Sequence, residues 1–335
     1  MTLESMTPQQ ITDATRNRAV TVIVPAYNSA KTLPHTLDSL LAQTNANFSV
    51  LVVDDGSEEE ILPLLPEDSR FLGYRLPHNQ GYAAVTNHAL DMVASRWVIF
   101  VDSDDTIEPE CLDILVERGE KENSDVVVLP LKAIEPSGAT SIGPFVDAES
   151  PLPANEALRL FIDGRLLFNQ HLLFRPNHVR SKDNTYSDLS FTFNLLSTVT
   201  TVSFEPRPMY NYFLHAGSVT AELRPTIWDL ATVLGDIEDA LNSVYSGRAA
   251  VETMHRMRWM QLNYMISKAA GDTESPQLRS DVYDWCRKEI RFSHVVDALR
   301  TRHTGRGLSL ALARTSPGVH SMAYRMRSRL KERAE

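Results

Sequence analysis

Two short acidic runs carry the residue types that could do chemistry, Asp54-Asp55-Gly56-Ser57 and Asp102-Ser103-Asp104-Asp105. Each follows an apolar run, residues 48–53 and 97–101, with the length and composition of a buried strand. A third such run, 21–26, leads into Pro25-Ala26-Tyr27-Asn28. Five carboxylates at two strand ends of one sheet repel one another unless something positive lies among them. A hard divalent cation meets that need. Mg²⁺ and Mn²⁺ commonly take one or two carboxylates and leave their other positions to water and phosphate oxygens. The plainer reading is that Asp, Gly and Ser form turns and cap helices here. That reading is as good as the other for the first run alone and poorer for the second, which directly follows Trp97-Val98-Ile99-Phe100-Val101; the two together, in this order and spacing, favour a metal and diphosphate site.

The elements that must position these residues alternate. Strands are expected at 21–26, 48–53, 71–76, 97–101 and 125–131. Helices are expected at 29–43, 82–94 and 109–123, with a helical turn at 58–65 cut by Pro63 and Pro66. Such alternation predicts an α/β fold, a mixed but mainly parallel sheet with helices on both faces. Sheets of this kind bind ligands outside the carboxyl ends of their strands. Further on, 135–153 reads as a loop and 154–162 as a short helix. A loop then leads into a helix over 184–196, followed by a strand at 199–204 and an extended stretch at 206–213. After Glu222 the pattern turns helical: Ile227, Leu230, Leu234, Ile237 and Leu241 repeat at helical spacing, and Gly247 marks a stop. The expected organisation is a disordered leader over 1–18, a catalytic domain over 19–221, and a helical C-terminal region over 222–335.

Composition narrows the partners. The 335 residues carry a net charge of −10, which argues against general nucleic-acid binding. The charge is uneven. From Arg300 onward nine Lys and Arg face two Glu, so that stretch is about +7 and the remainder about −17. Two cysteines are too few for a disulfide framework or a structural zinc site, and fit a cytoplasmic protein. The first 18 residues lack the apolar core of a signal peptide. On a helical wheel Val319, Met322, Ala323, Met326 and Leu330 share a face flanked by Arg325, Arg327, Arg329 and Lys331. That arrangement suits peripheral contact with an anionic membrane surface, or equally a helix docked on its own acidic domain.

These motifs together resemble the family 2 glycosyltransferases, which have the GT-A fold. Pro25-Ala26-Tyr27-Asn28, Leu37-Asp38-Ser39-Leu40-Leu41-Ala42-Gln43-Thr44 and Val52-Val53-Asp54-Asp55-Gly56-Ser57 are similar to the family's opening. Asn79-Gln80-Gly81 with Asn87 resembles its N-x-G segment, and Asp102-Ser103-Asp104-Asp105 its D-x-D motif. The resemblance is strong over 20–134, weaker to Thr220, and does not reach the last hundred or so residues. It implies a nucleotide-sugar donor, UDP-sugar by default, a Mn²⁺ or Mg²⁺ cofactor, a glycan or glycolipid acceptor of the cell envelope, and an inverting transfer.

The resemblance also implies roles. Tyr27 would stack on the nucleobase, with Pro25 and Asn28 beside it. Asp55 would accept a hydrogen bond from the base, next to Asp54, and Asn79, Gly81 and Ser103 would complete the donor site. Asp104 would bind the metal, and Asp102 the ribose or the metal and its water. Tyr186-Ser187-Asp188 stands where the family has an acidic pair opening a helix. Ser187 replaces the usual Glu, leaving Asp188 as the expected base, with Asp183 a rival. Tyr210-Asn211-Tyr212-Phe213-Leu214-His215-Ala216-Gly217-Ser218 is similar to a stretch that closes over the diphosphate. Phe213 and His215 occupy its two Arg positions, so His215 and Ser218 become the expected diphosphate contacts. Leu172-Leu173-Phe174-Arg175 is similar to the segment before the base, and fits slightly better as core packing with one exposed Arg. The departures leave open a non-catalytic carbohydrate-binding or scaffold protein on the same fold. A nucleotidyltransferase is disfavoured, because no Gly-rich basic loop follows the first strand.

Overall fold

The computed structural model describes residues 5–145, 150–166, 171–183, 185–214 and 223–332. The chain divides into two compact units, Met1–His215 and Ala216–Glu335.

The first unit is built on strands β1 (Val20–Ala26), β2 (Phe48–Asp54), β3 (Phe71–Arg75) and β4 (Trp97–Phe100), β5 (Thr106–Ile107) and β6 (Val126–Val128). They are followed by β7 (Leu131–Ile134), β8 (Thr140–Ile142), β9 (Leu152–Pro153), β10 (Leu173–Phe174), β11 (Thr201–Phe204) and β12 (Tyr210–Phe213). Its helices are α1 (Pro8–Thr15), α2 (Leu33–Leu41), α3 (Tyr82–Met92), α4 (Cys111–Lys121), α5 (Ala154–Ile162) and α6 (Ser187–Thr198). Eight strands form the main sheet in the order β3-β2-β1-β4-β10-β6-β11-β9. β1 runs parallel to both β2 and β4, and every residue of β1 and β2 is buried, as expected for strands covered on both faces. One face carries Val20, Val22, Val24, Val50 and Val52 against Leu33, Leu37 and Leu40 of α2 and Leu112 and Leu115 of α4. Gly119 lets α4 approach the sheet, since a Cβ there would meet the Trp97 ring at 2.8 Å. Elsewhere in the sheet Phe100, Phe174 and Phe191 pack with ring centroids 5.5–5.6 Å apart and so fasten α6 to it.

Three features depart from expectation. β10 inserts antiparallel between β4 and β6, so Leu173 and Phe174 are strand residues. Arg175, read as exposed, is half-buried: its Nε donates to the Ser124 carbonyl at 2.9 Å and its guanidinium lies over Trp97. The stretch at 135–153, read as a loop, contains β9 and also β8, which turns back to pair antiparallel with β7 in a second sheet ordered β5-β12-β7-β8. Its Pro and Gly residues make the turn. Finally, the leader is not disordered over its described part. Thr7 and Gln10 form a capping box around α1, Ile11 is fully buried, and Thr12 Oγ1 donates to the Met92 carbonyl at 2.7 Å.

The second unit holds α7 (Asp229–Val244), α8 (Gly247–Gly271), α9 (Pro276–Glu289), α10 (Phe292–Arg300), α11 (Thr304–Thr315) and α12 (Pro317–Glu332). α8 is central, burying Trp259, Leu262, Met265 and Ile266. No described helix is long and apolar enough to cross a membrane.

Candidate functional site

The loops after β1, β2 and β3 are laced together by their own polar groups. Asn28 adopts a left-handed φ of 51°. Its N–H donates to Ser57 Oγ and its Oδ1 accepts from the Glu58 N–H, both at 2.9 Å. Asp54 is fully buried, accepting from the Ser57 N–H at 2.9 Å and from Arg75 at 2.5 Å. Asp55 is also buried and accepts from the backbone N–H groups of Gln80 and Gly81 at 2.7 and 2.8 Å. Gly56, at φ +71°, allows the close crossing, because a Cβ there would fall 2.8 Å from the His78 backbone. The charge of this first acidic run is therefore met by the Arg75 guanidinium and the backbone amides of Ser57, Gln80 and Gly81. Pro25 is buried within β1, and Asn79 is exposed. Tyr27 is 48% exposed, which leaves ring surface open for stacking.

The second acidic run builds a different environment. Asp102 accepts from Tyr82 Oη at 3.0 Å, and its N–H donates to Tyr210 Oη at 3.1 Å. Tyr210, fully buried on β12, donates in turn to Asp105 at 2.8 Å, and Asp105 also accepts from the Phe213 N–H at 2.8 Å. The buried His171 lies with its ring 4.3 Å from that of Tyr210 and its Nε2 3.5 Å from Asp102 Oδ2. Its Nδ1 faces the Phe100 carbonyl at 3.3 Å. One ligand atom each from Asp102, Asp105 and His171 lie within 4.8 Å of one another. Ser103 and Asp104 are half-buried on the same turn, and Asp104 is not part of this group of three. Burial, then the charge of Asp102, pushes the Asp105 carboxyl up to about 8. Burial and Asp102 likewise hold the Tyr82 phenol well above its ordinary range.

Asp188 sits in the first turn of α6 and joins the same electrostatic neighbourhood. Burial raises its pKa, the Leu189 and Asp188 amides and His171 pull it down, and Asp102 pushes it up. The net direction is upward, so the helix N-terminus does not dominate as its position in the sequence suggests. The segment leading into α6 is clamped to α3. Asn87 Nδ2 donates to the Ser181 carbonyl and Asn87 Oδ1 accepts from the Ser181 N–H, each at 2.8 Å. The rival Asp183 is exposed. Phe213, at one usual Arg position, packs edge-on against His35 at 5.6 Å. His215 and Ser218 lie outside the described residues.

The structure thus brings Asp102 together with Asp105, His171 and Tyr82, to which sequence reasoning gave no role, and leaves Asp188 within reach of the charges of Asp102 and His171. Tyr82 directly follows the Asn79-Gln80-Gly81 segment, a usable signal. His171 carries none: it lies 69 residues from Asp102 and reaches it only because β10 inserts beside β4.

Comparisons place these features among known proteins. Residues 21–163 match glycosyl transferase family 2. The putative glycosyltransferase EpsH of Bacillus subtilis (strain 168) is 25% identical over 234 residues, 64% of this chain and 67% of its own length. The succinoglycan biosynthesis protein ExoO of Rhizobium meliloti (strain 1021) is 28% identical over 221 residues, 61% of this chain and 63% of its own. The chain thus spans roughly two thirds of these relatives. The crystal structure of S. aureus TarS 1-349 in complex with UDP-GlcNAc superimposes with a TM-score of 0.68 at 19% identity, covering 93% of this chain and 92% of that one. At that identity the likeness is one of fold.

Proposed function

The chain belongs to glycosyl transferase family 2, whose domain it carries over residues 21–163, and from this premise we propose that it is a metal-dependent, inverting transferase of a UDP-activated sugar. The acceptor is a hydroxyl of a cell-envelope glycan or glycolipid, and the cellular site is the cytoplasm. The observation that carries the proposal is the convergence of Asp102, Asp105, His171 and Asp188 beyond the carboxyl end of β4. Two names support donor and acceptor class: the TarS complex holds UDP-GlcNAc, and ExoO is a succinoglycan biosynthesis protein.

The donor set fits a divalent cation. Two carboxylates and an imidazole converge, and the Phe100 carbonyl orients the His171 ring with Nε2 toward the carboxylates. An imidazole among the ligands suits Mn²⁺ better than Mg²⁺, which prefers all-oxygen shells. Asp102, Asp105 and His171 would hold the metal, with Asp104 on the same turn. Bound there, it would offset the charge that develops on the departing diphosphate. Tyr27 would cover the nucleobase, and Asp55, Asn79 and Gly81 would frame it. Asp188 takes the proton of the acceptor hydroxyl as that oxygen bonds to the anomeric carbon. The bond from that carbon to the diphosphate oxygen breaks, and the nucleoside diphosphate leaves with the electron pair. A raised carboxyl pKa makes Asp188 the stronger base for this step.

The test is UDP release from a panel of UDP-sugars in the presence of Mn²⁺, alone and with candidate glycan acceptors. Release from at least one donor is expected. A protein that binds UDP yet turns over no donor would support the non-catalytic carbohydrate-binding reading instead.

A further inference from the structure

The helical unit contains a groove of about 720 Å³ lined by α8, α11 and α12 and by the turn before α11. Arg302, Arg306 and Arg327 line it together with Leu308, Leu312 and Tyr324, and no lining residue is a carboxylate. Among the described residues, no acidic side chain pairs with any of the three guanidinium groups. Other arginines of the same unit are paired, as Arg248 is with Glu252 at 2.6 Å and Arg258 with Glu289 at 3.5 Å. The floor is fixed. His320 is buried and bridges Tyr283 Oη and Ser309 Oγ, each at 2.7 Å, which holds α12 against its neighbours.

The surface beside the groove is apolar and open. Leu308 is 56% exposed, and Val319, Met322 and Met326 of α12 are 45%, 61% and 63% exposed. A soluble helix ordinarily turns such side chains inward. α12 instead buries His320 and Ser321 and presents its methionines outward. The sequence allowed this helix to be either a membrane contact or a cap on its own domain. One face of it packs within the helical unit, and the other remains apolar beside the groove.

We propose that this groove and its apolar rim form a docking face for an anionic membrane surface. Arg302, Arg306 and Arg327 would receive lipid phosphate oxygens, while Leu308, Met322 and Met326 enter the acyl boundary. Guanidinium groups match phosphate oxygens in geometry and charge. Each basic side chain near an anionic leaflet adds to binding, and salt weakens the effect. The face lies in the helical unit and uses none of the residues assigned to sugar transfer.

The experiment is flotation of the full chain with vesicles of phosphatidylcholine alone or phosphatidylcholine mixed with phosphatidylglycerol. The wild type should float with the mixed vesicles only. The variant Arg302→Gln, Arg306→Gln, Arg327→Gln should lose at least about tenfold in vesicle affinity. A charge-matched control, Arg16→Gln, Arg96→Gln, Arg248→Gln, should bind as the wild type does. A second variant, Met322→Ser with Met326→Ser, changes only exposed side chains and should also weaken flotation. Thermal melting and UDP binding by each variant establish that the fold is intact. Equal flotation by the groove variant and the wild type would overturn the proposal. So would an equal loss in the charge-matched control, or failure of the wild type to float with anionic vesicles. Thermal stabilisation by inorganic pyrophosphate without flotation would also overturn it, and would assign the groove to a free anion.

Discussion

At the scale of single residues, the two acidic runs divide their labour. Asp54 and Asp55 are held by their own unit, one against Arg75 and one against the amides of Gln80 and Gly81. Asp102 and Asp105 remain near His171 and Asp188. The sequence made the acidic runs visible because both follow strand-like stretches. It could not show which run is neutralised internally, since Arg75 and the amides reach Asp54 and Asp55 only through chain crossings. Replacing Asp188 with Asn keeps size and helix position but removes basicity. Transfer should fall by about 10²- to 10⁴-fold while UDP binding holds. Transfer surviving in Asp188→Asn but lost in Asp183→Asn would move the base to Asp183. Tyr27→Ala should weaken UDP and UDP-sugar alike, by about 1 kcal/mol in each case. A loss confined to the sugar would place Tyr27 elsewhere in the site.

At the scale of elements, the parallel strands and the helices between them were legible because buried strands read as continuous apolar runs. α5 falls at the residues expected, Ala154–Ile162. Two-residue strands such as β5 and β10 were not legible, since periodicity needs a longer window. α1 carries a readable signal, Thr7 three residues before Gln10, set among polar residues that hide its helical face. Loop crossing gives one test. Gly56→Ala must accommodate both a positive φ and a backbone contact, so it should destabilise the first unit by roughly 1–3 kcal/mol and weaken UDP binding. A melting temperature unchanged from the wild type would show that the loops can separate at no cost.

The second unit offers a pH test. Burial, reinforced by His255 and Arg291, lowers the His294 pKa from 6.5 to about 4. Between those values the unfolded chain holds the extra proton. Stability should therefore be full above pH 6.5 and decline toward pH 4, by on the order of 1–3 kcal/mol from this group. His294 Nδ1 accepts from the Arg291 N–H at 3.1 Å at the start of α10, and Gln serves that position as a capping acceptor. His294→Gln should flatten the decline. An equally steep decline in His294→Gln would assign the titration to other groups.

At the scale of the whole molecule, the sequence located an α/β domain and a helical remainder. It also located an excess of positive charge near the C-terminus, but not the groove, which exists only once α8, α11 and α12 pack together. The central claim joins the two scales below: Asp102, Asp105 and His171 hold a divalent cation that couples to the donor diphosphate. Calorimetric titration of UDP into the wild type and into His171→Ala, each with Mn²⁺ and with chelator, tests it most directly. In the wild type, Mn²⁺ should strengthen UDP binding by at least about tenfold, corresponding to about 1.4 kcal/mol. In His171→Ala most of that gain should disappear while the affinity in chelator stays the same. Equal UDP affinity with and without Mn²⁺ in the wild type would contradict the claim.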